Sequence, residues 1–208
     1  MGFEKAGLSD GSHNEMETGR EAGPFRRALA IFFAAAIVLL VPVRLQSQTE
    51  NDEYRVKAAF LFHFAQFVDW PPGTFKEANT PLTYCTLGQD PFAGELDRTL
   101  AGKIIGSRRV KVEHVQKIQE TQRCQILFVG LREKKSLLAE LSNLKEEAVL
   151  TVGDSDQFAR QGGMIGFFTE ENKICFEINV EAAERSKLKI SARLLGLAKR
   201  VLGSPKGN

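Results

Sequence analysis

From Tyr54 to Trp70 the chain reads YRVKAAFLFHFAQFVDW, and apolar residues recur around most of a helical circumference. At about 100° per residue, Val56, Phe60, Phe64 and Phe67 share one side, and Leu61, Ala65, Val68 and Tyr54 share a second. A narrow polar side carries Arg55, Ala59, Phe62, His63, Gln66 and Asp69. The pattern predicts one helix over 54–70, buried on two sides and ended by Pro71-Pro72, which cannot donate the next helical hydrogen bonds. Such a density of phenylalanine fits a lipid anchor, a partner-binding face or ordinary core. Charges at Arg55, Lys57 and Asp69 make the stretch too short to span a bilayer, so core is the expectation, with a buried partner contact as the alternative.

Beyond Pro72 the periodicity alternates between strand and helix. LTYCTL (82–87) reads as a buried strand, followed by a turn at Gly88-Gln89-Asp90-Pro91-Phe92 and a helix to about Leu100. RVKVEHV (109–115) alternates as a half-exposed strand should, and a short helix is expected near 116–122. The continuous apolar run CQILFVG (124–130) suits a central parallel strand. A helix over 133–144, a strand over 148–154 and a short helix over 157–160 follow. Gly162-Gly163 then opens a hairpin of MIGFFT (164–169) and KICFEINV (173–180). A short helix near 181–186 and an amphipathic helix over 190–202 complete the chain. The order predicts an α/β three-layer sandwich with a mostly parallel sheet, helices on both faces and an antiparallel edge hairpin.

The N-terminal quarter has a different grammar. Residues 1–25 are polar and aperiodic, and are expected to be disordered. Arg26-Arg27 then precedes an uncharged run of 16 residues, 28–43, with a polar exit through Arg44-Leu45-Gln46-Ser47. A positive segment, an apolar segment of this length and a small residue at Ser47 make a secretory signal, the alternative being an uncleaved anchor. A start at Met16 would give a more typical leader. The expected division is 1–47 as leader and 48–208 as one exported domain. Its loss removes five Lys/Arg and five Asp/Glu, so the remainder keeps the net charge of +2 of the whole chain. Nearly neutral, with no block of like charges and no aromatics spaced among basic residues, the domain is not built for nucleic acid.

Candidate chemistry is sparse. Doubly wound folds bind ligands where strands end at the carboxyl edge of the sheet, and three turns qualify, after Gly88, Gly130 and Gly153. None carries a dinucleotide or Walker fingerprint, so no cofactor is expected. Gly88, Asp90, Asp154, Gly162 and Gly163 are the candidate ligand or partner turns. Asp154 and Asp156 could hold a cation, although Asp156 ahead of the 157–160 helix suits an N-cap. Scattered His13, His63 and His114 give no metal-ligand spacing, and no nucleophile has a base and an orienting acid in view. An enzyme is therefore not expected, and no residue is assigned to catalysis or to a metal. Export would allow Cys85, Cys124 and Cys175 one disulfide and one leftover thiol, with the pairing open.

Six stretches taken in order resemble one family: EYRVKAAFLFHFAQFVDWP, LTYCTLGQDPF, LAGK, CQILFVG, VLTVGDSDQFARQGGMIGFF and FEINVEAAERSKLKISARLLGLAKRV. Together they span about 53–201 and resemble the YfiR family of exported regulators. The resemblance implies a periplasmic, usually dimeric α/β protein without catalytic activity. It would restrain an inner-membrane diguanylate cyclase through that enzyme's periplasmic sensor domain, lowering cyclic di-GMP and biofilm formation. It also implies a disulfide between Cys85 and Cys124, which match the family's recurrent pair. Cys175 then has no partner, so a second intramolecular bridge and any switching that needs it do not carry over. A periplasmic small-ligand-binding module is the alternative function.

Overall fold

Period-two alternation along the strands puts two separate apolar cores on the two faces of one sheet. A computed structural model of the chain describes residues 52–130, Leu144 and 147–203. These lie in one compact unit, Gln46–Asn208. The expected leader at 28–43 and the expected helix 133–144, apart from Leu144, lie outside the described residues.

The chain enters with helix α1 (52–64), a 3-10 turn Ala65–Phe67 and the short strand β1 (Val68–Asp69). β2 (Leu82–Leu87), α2 (Glu95–Leu100), β3 (Ile104–Ile105) and β4 (Arg108–Val115) follow. A 3-10 helix, Ile118–Arg123, leads into β5 (Ile126–Val129), and β6 (Leu150–Gly153) comes after the segment not described. The hairpin β7 (Ile165–Glu170) and β8 (Lys173–Asn179), then α3 (Val180–Arg185), β9 (Lys189–Ile190), α4 (Ala192–Leu197) and β10 (Arg200–Leu202) complete the domain.

Eight strands form the main sheet in the order β10-β8-β7-β6-β5-β2-β4-β3. All neighbours are parallel except the β7–β8 hairpin and the β3–β4 edge. This is an α/β fold with a mostly parallel sheet, and CQILFVG supplies its central β5, buried throughout. The hairpin turns on Glu171 and Asn172, both at positive φ (49° and 60°), the two-residue geometry whose twist matches the flanking strands.

Leu82, Tyr84, Ile126, Phe128, Leu150 and Val152 point to one face, where α1, Leu96, Leu100, Ala183 and Leu194 cover them. Cys85, Leu87, Leu127 and Val129 point to the other, against Val115, Ile118, Leu144 and Phe158. The first face holds the phenylalanines. Phe64 is 1% exposed and stacks on Phe60 (5.9 Å) and Phe167 (5.7 Å) and meets Phe176 edge-on (5.0 Å). Tyr84 lies beneath α1 and its hydroxyl donates to the Leu61 carbonyl (3.3 Å), while burial pushes its phenol above the usual range. Phe64 and its stripe are core.

Three local expectations are corrected. The first helix stops at residue 64, because β-branched Val68 turns extended and pairs with Ile190 while the Ser191 N–H donates to the Phe67 carbonyl. Pro71-Pro72 therefore follows a strand and not a helix end. The last helix stops at Leu197, since residues 200–202 are taken up as a strand parallel to β8, leaving β10 and not the hairpin at the sheet's border. No helix forms over 157–160: Gln157 sits at φ 58°, so Asp156 caps none. Beyond these, β3 at Ile104–Ile105 is an unexpected edge strand.

Cys85 and Cys124 are joined in a disulfide, with Cα atoms 5.8 Å apart and a sequence separation of 39. Two outcomes follow from this packing. Phe64→Ala should cost about 3–5 kcal/mol in chemical denaturation and Phe64→Asp should abolish folding, whereas near-native stability of either would contradict the core assignment. Mild reduction should lower stability by about 3–4 kcal/mol, the loop-entropy value for a ring of this size, and Cys85→Ser should reproduce the loss.

Candidate functional site

The parallel strands β2, β5 and β6 end together at Gly88, Gly130 and Asp154, where an open α/β sheet would leave a crevice. Here the first turns of α1 occupy that place. Lys57 is 2% exposed, and its Nζ donates to Asp154 Oδ2 at 2.6 Å and pairs with Glu53 Oε1 at 2.6 Å. The Tyr54 hydroxyl donates to the same Asp154 oxygen at 2.9 Å, and its ring packs edge-on against Phe92 at 5.2 Å. Phe92 in turn meets Phe128 of β5 at 4.7 Å. The domain thus fills its own carboxyl edge with an aromatic and ionic plug.

The candidate turns are placed apart. Gly88 (φ 79°) donates its N–H to the Val115 carbonyl, and Asp90 accepts from the N–H groups of Phe92 (3.0 Å) and Gly94 (3.2 Å). Asp154 belongs to the plug. Gly162 (φ 108°) turns the loop between β6 and β7, and a Cβ on Gly163 or Gly153 would overlap the Phe158 ring. Gly88 and Asp90 share one turn, Asp154 belongs to the plug, and Gly163 packs with Gly153 on Phe158, so among the described residues the candidate turns do not line one pocket.

Two features escaped the sequence reading. Lys57 lies four residues before Leu61 on the Leu61–Phe64–Val68 stripe, and a lysine at that spacing was the available signal of a buried charge. Asp90, Asp97 and His114 also converge, their nearest ligand atoms all within 4.8 Å of one another. Thr86 Oγ1 holds His114 Nδ1 at 2.7 Å, leaving Nε2 3.3 Å from Asp97. The trio could take a hard divalent cation, yet Asp90 already spends both oxygens on backbone N–H groups, and Asp97 and His114 are exposed.

Cavities among the described residues include two at the amino ends of the strands and one beside Asp154. One of about 530 Å³ lies between β1 and β3, lined by Trp70, Phe75, Ile104, Ile105 and Arg108. A second, about 240 Å³, sits beside Cys124 and Gln125. The third, about 280 Å³, is bounded by Asp154, Arg160, Phe167, Phe168, Glu177 and Arg200. Cys175 is the free thiol among the described residues and is partly buried in β8. Among the described residues, no helix is long and apolar enough to cross a membrane.

With this geometry in place, the chain was compared with known proteins. Its residues 54–199 match the YfiR/HmsC-like family. The chain belongs to that family. No curated protein matches it. In general, YfiR/HmsC-like proteins are periplasmic regulators of diguanylate cyclases and not enzymes, and they act with membrane signalling proteins. The match runs from Tyr54 of the plug to Lys199, next to β10, and so takes in the whole sheet except its last strand.

The plug has a measurable signature. Asp154→Asn or Lys57→Met alone should lose about 3–5 kcal/mol in urea denaturation, because each leaves the other charge buried with fewer partners. The double variant Lys57→Met/Asp154→Leu should recover much of that loss. Single variants costing less than about 1 kcal/mol would show that the pair is solvated.

Proposed function

We propose that this chain is an exported regulator that binds the periplasmic sensor part of an inner-membrane diguanylate cyclase and represses it, lowering cyclic di-GMP and biofilm formation. The observation that carries this is the family match across residues 54–199. A bridge between Cys85 and Cys124 suits an oxidising compartment. On this reading residues 28–43 direct export, with cleavage near Ser47 or retention as an N-terminal anchor, and 48–208 act as one domain in a homodimer. Exposed apolar Leu197 (63%) and Val201 (43%) at the β10 border favour a protein partner there over plain solvation.

A second reading, a small-ligand-binding module, is favoured by the cavity at Asp154 and Glu177. It does not need the carboxyl-edge crevice, which the plug fills. The two are compatible, since a regulator needs an input.

Deleting the gene should raise cyclic di-GMP and surface attachment, read by mass spectrometry of cell extracts and by a biofilm assay. Restoring the full chain should reverse both, whereas a version lacking residues 1–47 should not. Unchanged cyclic di-GMP in the deletion strain, with its membrane cyclases intact, would refute the regulator.

A further inference from the structure

Asp90, Asp97 and His114 come from three elements: the turn after β2, helix α2 and the end of β4. Their nearest ligand atoms all lie within 4.8 Å of one another, and His114 Nε2 is 3.3 Å from Asp97 Oδ2. Two ligands on one tetrahedral ion, at bond lengths of about 2.0–2.1 Å, sit about 3.3 Å apart, so this pair already has the spacing of a shared metal. Rotation of the exposed Asp97 side chain (47%) closes the remaining gap. Asp97 and His114 both face solvent, so an ion reaches them without any opening of the fold.

The ligands are held from behind. Thr86 is 0% exposed, and its Oγ1 lies 2.7 Å from His114 Nδ1, which leaves Nε2 on the side of Asp97. A partner on the far ring nitrogen is the arrangement that fixes the orientation of a metal-binding imidazole. Asp90 accepts from the N–H groups of Phe92 and Gly94, and each of its oxygens keeps a second lone-pair site for a cation. Charge is also left over. Glu95, Glu113, Asp154 and Glu170 each pair with a lysine or arginine, whereas among the described residues neither Asp90 nor Asp97 does. Two carboxylates beside one imidazole therefore leave a negative site that a doubly charged ion balances.

We propose that Asp90, Asp97 and His114 bind a borderline divalent transition ion of the Zn2+ type, in an open site completed by water. Calcium and magnesium seek more oxygen ligands than this trio offers, and the imidazole nitrogen favours zinc over both. The bound ion would fasten the turn after β2 and helix α2 to the end of β4. The site is separate from the plug, needs no cyclase partner, and stands or falls apart from the regulatory function.

The test uses the purified full chain, with its disulfide formed, and ZnCl2, CoCl2 and MgCl2 as probes. Stoichiometric Zn2+ should raise Tm and shift the NMR amide signals of residues 88–97 and 113–115. Paramagnetic Co2+ should broaden the same signals, and Mg2+ at equal concentration should do neither. Asp97→Asn and His114→Ala, both at exposed positions, should each weaken Zn2+ binding by about tenfold or more while leaving the metal-free Tm nearly unchanged. Thr86→Val keeps all three ligands and should still weaken binding by about tenfold. Binding that survives both exposed variants, shifts centred on His63 or Cys175, or an equal response to Mg2+ would mean an adventitious ion only and would overturn the proposal. An unchanged Tm with Zn2+ in excess overturns it as well. If Thr86→Val does not fold, the two exposed variants decide.

Discussion

The docking of α1 is the constraint on which the rest of the domain depends. One helix covers the sheet face with Phe64 and Leu61, and its first turns reach past the strand ends to place Lys57 on Asp154. The aromatic contact supplies the larger share of stabilisation, because Phe64 meets Phe60, Phe167 and Phe176 in one dry cluster. The ion pair contributes less net energy than its charges suggest, since both groups lose water on burial. What it adds is register: a helix shifted by one residue would bury an unpaired lysine. The disulfide ties the same sheet from its other face, joining β2 to Cys124, two positions ahead of β5.

This arrangement changes where a ligand can go. In an open doubly wound sheet the carboxyl edge is the natural crevice. Here Tyr54, Lys57 and Phe92 fill it, and the free space lies to the side, between the β6–β7 loop and the hairpin. Phe158 holds that loop by lying flat against Gly153 and Gly163, so those glycines serve packing and not ligand approach. Asp154 gives one oxygen to the plug, and its other oxygen is buried without a hydrogen-bond partner among the described residues.

Much of the sheet was legible because its strands carry unambiguous patterns. ILFV (126–129) is apolar without a break, as a strand covered on both faces must be, and RVKVEHV alternates, as a strand near the edge must. The family resemblance was legible for a related reason: motif order survives when individual motifs are weak. The site was not. Asp90, Asp97 and His114 lie seven and seventeen residues apart in turn, and only the α2–β4 crossover brings them together. Glu177 looks like any alternating polar residue in a hairpin strand until β10 and the β6–β7 loop close over it.

By itself the sequence determined the α/β class, the order of the six longest strands along the chain, the hairpin over 164–180 and the burial of the phenylalanine helix. Each of these is a local pattern repeated often enough to outweigh its alternatives. Only the tertiary structure decided that residues 68–69 and 200–202 become strands. Their helical periodicity is real, but unpaired backbone on β9 and β8 offered hydrogen bonds that a longer helix could not. Tertiary structure also decided that Lys57, written as a charge on a helix, is a buried partner of Asp154, 97 residues away. No window along the chain contains both, so no periodicity could have paired them.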